Sequence, residues 1–244
     1  GSDKPVVVCF LGGDPSLIET EGGIAAASLE EAARLAAALV QQQSTAAAKG
    51  KFHRELLALA ATAETARATL KPDARFVSGL FWGGTFCYEA QMLLLPQVSE
   101  LYSNAPFPGV KRLPSALVSS GHSCIDLGED EFTQGRLHPM LDPTLRNKRL
   151  LQEVADPSVG VILLDLVLGY GAHDDPAGAL AAAITEARQR LAAAQRDIAF
   201  VASVCGTAGD PQNLADQEAR LRAVGVWVVE SNAAAAALAG MIVR

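Results

Sequence analysis

Four short stretches of this chain carry residue types whose spacing suits chemistry. Gly83-Gly84-Thr85 sits between an apolar run and a helical pattern. Two glycines there leave backbone N–H groups facing outward. Thr85 is placed to cap the helix and to offer its hydroxyl, so phosphate or carboxylate is attracted. The same residues also serve as a tight turn from strand to helix. A second stretch runs Gly135-Arg136-Leu137-His138-Pro139-Met140-Leu141-Asp142. Arg136 suits two-pronged binding of a carboxylate or phosphate, and His138 suits work as acid, base or nucleophile near neutral pH. Asp142 either orients His138 or caps the next helix. The third stretch, Gly169-Tyr170-Gly171-Ala172-His173-Asp174-Asp175-Pro176, puts His173 beside two acids. The fourth, Cys205-Gly206-Thr207-Ala208-Gly209-Asp210, offers the amides of Gly206 and Thr207, a hydroxyl and a thiol. Asp165 stands inside an apolar run, where a carboxylate needs a partner. His122, just before a strand, is expected to cap or stay solvated, and His53 to lie on a helix surface.

The elements that position these stretches alternate. Apolar runs of strand length fall at 6–11, 76–81, 123–127, 159–166, 198–204 and 226–229. They are rich in Val and Ile and do not alternate with polar residues, as expected of strands buried on both faces of a parallel sheet. Alanine-rich helical patterns fall at 29–42, 52–70, 85–95, 143–154, 177–194, 213–224 and 233–242. The alternation predicts an α/β chain with a doubly wound parallel sheet. Ser28 before Leu29-Glu30-Glu31 is a capping signal, as are Asp142-Pro143 and Asp210-Pro211. Gly225 suits a helix end. The Gly12-Gly13-Asp14-Pro15 turn after the first run echoes Gly209-Asp210-Pro211 after the fifth, which suggests duplicated flavodoxin-like pieces. On that reading 3–45 is the tail of a first unit, 46–72 a helical connector, and 73–244 a complete second unit with five strands.

Composition narrows the classes. Half of the 244 residues are hydrophobic, enough for a sizeable core, and the net charge is −7 with no basic stripe. Nucleic-acid binding is therefore not expected. No run is long enough to span a membrane or to act as a signal peptide, so a cytoplasmic protein is expected. Cys9, Cys87, Cys124 and Cys205 are scattered without a Cys-x-x-Cys pair, which favours reduced thiols and gives no metal site. Gly1-Ser2 reads as a cloning remnant, and the chain after it as a piece of a longer protein. The sequence holds no Walker-type loop, no Gly-x-Gly-x-x-Gly after its first strand and no Gly-x-Ser-x-Gly elbow.

A family resemblance rests on several of these segments. Ser78-Gly79-Leu80-Phe81-Trp82-Gly83-Gly84-Thr85-Phe86-Cys87-Tyr88-Glu89-Ala90 resembles a strand-turn-helix of succinyl-CoA synthetase α subunits that is aimed at phosphate. The run from Val159 through Asp165 to Gly169 and Gly171 is similar to that family's apolar strand and glycine-rich loop. The stretches from Asp197 and up to Val229 are similar to its last two strand-helix units. The segments 83–85, 135–143 and 169–173 are similar to the signatures of the FdrA-like group within it, over nearly the whole chain. The departures are specific. The family's phosphorylated His lies in a Gly-His-Ala-Gly loop; the matching loop here, Cys205 to Asp210, has no His. The family's loop glutamate is replaced by Val167 or Leu168. Its CoA-binding domain has no counterpart, so no CoA site is expected in this chain.

The resemblance implies acyl-CoA synthetase-like chemistry, or the oxamate carbamoyltransferase step of allantoin breakdown, which converts oxalurate and phosphate to oxamate and carbamoyl phosphate. The missing His favours the second, since a carbamoyl group passes directly to phosphate when both are held in line. The expected roles are phosphate binding by Gly83, Gly84 and Thr85, and a second set of donors at Gly206 and Thr207. Arg136 would hold an anionic substrate, with His138 as acid or base, Asp142 beside it and His173 in reserve. Phosphate or an acyl phosphate is the expected substrate, no cofactor being assigned, with partner subunits and a homodimer as expected company. The competing expectation is a non-catalytic assembly or anion-binding module.

Overall fold

The computed structural model describes residues 4–244. Gly1-Ser2 and the first residue of the 3–45 segment lie outside the described residues. The chain forms two compact units, one ending at Ala60 and one running Ala61–Arg244.

In the first unit, β1 (Val7–Val8) and β2 (Ile24–Ala25) pair in parallel around α1 (Pro15–Thr20). Asp14 caps α1 by accepting from Ser16 N–H, with Pro15 at the first helical position. α2 (Leu29–Val40) starts at Ser28, whose hydroxyl accepts from Glu31 N–H at 3.1 Å. α3 (Thr45–Arg67) occupies most of the 46–72 stretch.

The second unit holds a seven-stranded, all-parallel sheet. Its elements are β3 (Phe76–Phe81), α4 (Gly84–Leu94), β4 (Leu101–Ser103), β5 (Lys111–Arg112), β6 (His122–Asp126), α5 (Asp130–Thr133), α6 (Thr144–Ala155), β7 (Val159–Val167), α7 (Pro176–Ala193), β8 (Ala199–Cys205), α8 (Leu214–Ala223), β9 (Trp227–Val229) and α9 (Asn232–Ile242). The strand order is β5-β4-β6-β3-β7-β8-β9. Five strands were expected; the two extra ones, β4 and β5, extend one edge. β5 is short, charged and exposed, as edge strands that avoid pairing with other chains often are.

The chain leaves β3, returns to pair β6 against it, then crosses to β7 on the other side. That crossing winds the sheet both ways. α4 and α9 pack together over one face, and α6, α7 and α8 over the other. The burial pattern follows: the first eight residues of β7 are all buried, which is what a strand covered on both faces requires. A side-chain network also fixes α6. Glu153 accepts from Ser78 on β3, from Ser119 on the crossover and from Arg149. Among the described residues no helix is long and apolar enough to cross a membrane.

Strand register decides where the acids fall. Phe81 pairs with Asp126 on one side, and Leu80 pairs with Leu164 on the other. The carboxylates of Asp126 and Asp165 therefore stand level on the two strands flanking β3, at the carboxyl edge where open parallel sheets bind ligands.

Candidate functional site at the carboxyl edge of the sheet

The helix after β3 starts one residue earlier than expected. Gly83, not Thr85, occupies the capping position of α4, and it has no side chain to answer the first N–H groups. Thr85 lies in the first turn, exposed, with its hydroxyl unbonded among the described residues. Trp82 is held from behind: Asp165 Oδ1 accepts its N–H at 3.0 Å. Asp165 in turn faces Arg146 of α6, whose Nη1 lies 3.7 Å from the carboxylate and donates to the Asp165 carbonyl at 2.5 Å. The Arg146 guanidinium stacks 4.1 Å from the Trp82 ring. Both charges are buried. Burial pushes the Asp165 carboxyl up to about 6 while Arg146 pulls it back down. Arg146 Nε and Nη2 and Trp82 Nε1 are buried without a partner among the described residues.

Asp126 is the carboxylate that reaches the turn. A Cβ added at Gly84 would lie 3.0 Å from Asp126 Oδ2. One added at Gly128 would lie 3.1 Å from both Asp126 Oδ1 and His138 Nε2, and 2.9 Å from the Trp82 carbonyl. At Gly128 an added side chain would press on the Trp82 backbone, so glycine suits this point between helix start, carboxylate and imidazole. Burial raises the Asp126 carboxyl above its ordinary range, opposed by the Gly128 N–H that it accepts at 2.8 Å and by His138.

His138 and His173 share one device. His138 Nδ1 accepts from Met140 N–H at 3.2 Å, and His173 Nδ1 accepts from Asp175 N–H at 3.0 Å. An accepting Nδ1 places the neutral ring's proton on Nε2. At His138 that nitrogen and the Asp126 carboxylate both border Gly128, close enough to interact by charge but not joined by a hydrogen bond. The two loops are joined, since His173 N–H donates to the Met140 carbonyl at 2.7 Å. Gln212 ties the His173 loop to the loop after β8 by accepting from Gly169 N–H and donating to the carbonyls of Gly169 and His173.

Other expected residues are placed elsewhere. Asp142 does not face His138. Its Oδ1 accepts from Thr144 N–H at 3.0 Å, but the capping position of α6 falls to Pro143 and the helix starts at Thr144, one residue later than expected; the Thr144 hydroxyl and then its N–H hold the Asp142 carboxyl below the ordinary value. Arg136 is exposed, and its guanidinium has no hydrogen bond or ion pair among the described residues. At the fourth loop Thr207 N–H donates to Asp210, and the Thr207 hydroxyl accepts from Gly209 N–H. Those two groups are spent within the turn. Asp210-Pro211 does not start a helix there; α8 begins at Leu214 behind Asn213. Cys205 is exposed, and burial, Asp165 and Asp210 push its thiol up rather than down. Gly206 packs close to the Leu168 side chain. His122 neither caps nor stays solvated, being buried within β6.

Sequence reading missed Asp126, Arg146 and Gln212. Asp126 had a usable signal, an acid at the end of an apolar run just before a glycine. A cavity of about 430 Å³ lies alongside, lined by Asn104, Arg112 and Glu131. Asn104 grips the Asp126 backbone, donating to its carbonyl and accepting its N–H. Arg136, His138 and Gly84 do not line this cavity. Among the described residues no group of three or more His, Cys, Asp or Glu is arranged to hold a metal ion.

A CoA-ligase family model matches residues 80–242. The uncharacterized protein YahF of Escherichia coli (strain K12) is 36% identical over 229 residues, which cover 94% of this chain and 43% of that one. The chain spans less than half the length of that relative.

Proposed function

Because the chain belongs to the CoA-ligase family, within the succinyl-CoA synthetase superfamily, we propose that its second unit handles an acyl or carbamoyl phosphate in FdrA-like fashion. The observation that supports this reading is the meeting of Gly84, Asp126, Gly128 and His138 at the carboxyl edge. The uncapped N–H groups of Gly84, Thr85 and Phe86 favour a bound oxyanion. The Nε2–H tautomer suits His138 to donate a hydrogen bond rather than to attack phosphorus, which fits chemistry without a phosphohistidine. Arg136, exposed on the same loop, is free to meet an anionic substrate.

Written for carbamoyl transfer, a phosphate oxygen bonds to the carbamoyl carbon while the carbon–nitrogen bond to oxamate breaks. Asp126, with its raised carboxyl, takes the phosphate proton. Asp126 then passes that proton to the departing nitrogen, while the His138 Nε2–H donates a hydrogen bond to the transferring group. The donors at α4 stabilise charge on the transferring group, the kind of term that usually dominates.

A second reading is favoured by the side chains around this edge. Tyr170 is 95% exposed, Leu137 65% and Leu141 46%, all on the loops after β6 and β7. Such a rim suits cover by another polypeptide, with this unit as an assembly or anion-binding module. Calorimetric titration with phosphate and carbamoyl phosphate tests the first reading, using the chain, Thr85→Ala and His138→Gln. Saturable binding weakened by both changes is expected. No binding by the unaltered chain would sink a self-contained anion site and leave the assembly role.

A further inference from the structure

The opposite edge of the same sheet, where β3, β4 and β6 begin, holds a cavity of about 770 Å³ whose wall includes Arg75, Ser99, Glu100, Tyr102, Ser120 and His122. That volume falls in the range of small-molecule sites. His122 is 7% exposed. Its Nδ1 accepts from Val77 N–H at 3.2 Å, so the neutral ring carries its proton on Nε2, which has no partner among the described residues. Burial and then Arg75 lower the imidazole to about 4, so it stays a neutral donor at physiological pH. The Phe76 ring packs edge-on against it at 5.1 Å and fixes its plane.

The charge that remains available here is positive. The Arg75 guanidinium lies over the Phe76 ring at 5.2 Å and has no hydrogen bond or ion pair among the described residues. Glu100, the acid in the wall, is already held by Lys111 and by the Tyr102 hydroxyl. α4 and α9 end at this edge, and bare helix ends would repel an anion. Several of their last carbonyls are answered, however. Arg67 donates to the carbonyls of Met241 and Ile242, and Gln97 N–H to that of Leu94. The hydroxyls of Ser99 and Ser120 have no partner among the described residues. Unspent donors thus outnumber unspent acids, around a buried imidazole.

We propose that this cavity is a second binding site, for a small organic oxyanion whose carboxylate or phosphate is gripped by Arg75 and by the Nε2–H of His122. The site is separate from the Gly84 cluster and does not depend on the proposed phosphate chemistry.

The four histidines make the test direct. Imidazole NMR signals of the whole chain are assigned with single His→Gln variants, then followed during titration with succinate and, separately, inorganic phosphate. Saturable movement of the His122 signals by either anion is expected, and the responding arm tells carboxylate from phosphate. Arg75→Gln should weaken that response about tenfold or more, and Arg75→Lys should weaken it less. Unchanged His53, His138 and His173 signals in the anion-free Arg75 variants would show that the fold is kept. His122 signals unmoved by both anions would overturn the proposal, as would a response of equal strength in Arg75→Gln. Binding lost in Thr85→Ala but kept in Arg75→Gln belongs to the other edge, so the two readings fail separately.

Discussion

Replacing Arg146 by leucine removes the buried cation behind the Trp82-Gly83-Gly84 turn. The substitution deletes the stack on Trp82, the bond to the Asp165 carbonyl and the charge opposite the Asp165 carboxylate. Asp165 is left with its side chain 2% exposed and no facing cation. Stranding one member of a buried ion pair costs about 3–5 kcal/mol, and the lost stack adds on the order of 1 kcal/mol. The two buried, unpaired guanidinium nitrogens disappear as well, which offsets about 1–3 kcal/mol. The net loss is about 1–5 kcal/mol. The loss should also depend on pH. With its folded value near 6 against an ordinary 3.8, Asp165 keeps its proton longer folded than unfolded. Its ionisation lowers stability as pH rises between those two values and no further above the upper one. Without Arg146 the folded value climbs, so the destabilising window extends upward. The variant's deficit then grows from about pH 5 to about pH 8, by about 1.4 kcal/mol for each unit of that climb. Urea denaturation of the parent and Arg146→Leu at both pH values measures this. The double variant Arg146→Leu/Asp165→Leu should recover most of the loss, because an apolar pair is often an adequate replacement. A deficit below about 1 kcal/mol, or one that is the same at both pH values, would refute the reasoning.

Three further outcomes are expected. Glu153→Gln strands Arg149, which is 4% exposed and shares Glu153 with Ser119 and Ser78; chemical denaturation should show a loss of about 3–5 kcal/mol. Gly128→Ala places a methyl group 2.9 Å from the Trp82 carbonyl, costs about 1–3 kcal/mol in thermal or urea unfolding, and should perturb the His138 ring signals, whereas Asp142→Asn should leave them in place. In the folded chain iodoacetamide should label exposed Cys205 while sparing buried Cys87 and Cys124, as peptide mass mapping would show; burial pushes Cys124 up to about 12 and Cys87 well above its ordinary value.

The doubly wound sheet was legible because five of its strands are apolar runs lacking alternation. β3 falls on the predicted residues, and β7 extends one residue beyond them. β4 and β5 were not legible. The first is three residues long, and the second is the exposed pair Lys111-Arg112, so neither carries a hydrophobic period. The loops at the site were legible from their glycines and histidines. Which carboxylate meets His138 was not, because proximity there comes from register across β3 and β6 rather than from spacing along the chain. Asp142, four residues from His138, looks the better partner in sequence; Asp126, twelve residues away, is the one that borders Gly128 together with it. His122 was misplaced for a similar reason. Its Nδ1 answers Val77 N–H on the neighbouring strand, a partner that only the strand pairing supplies.

The bond from Arg67 to the Ile242 carbonyl closes a span of 175 residues, and it brings the start of the second unit beside its last helix. Where a unit's ends meet, connectivity can be separated from architecture. A short linker could join the region of Arg67 to that of Ile242, and new termini could be opened at an exposed turn such as the one around Gly109. Every strand pairing from β5 to β9 would survive that change. The identity of this unit therefore resides in the pairing of its strands, and the point at which the chain enters it is interchangeable.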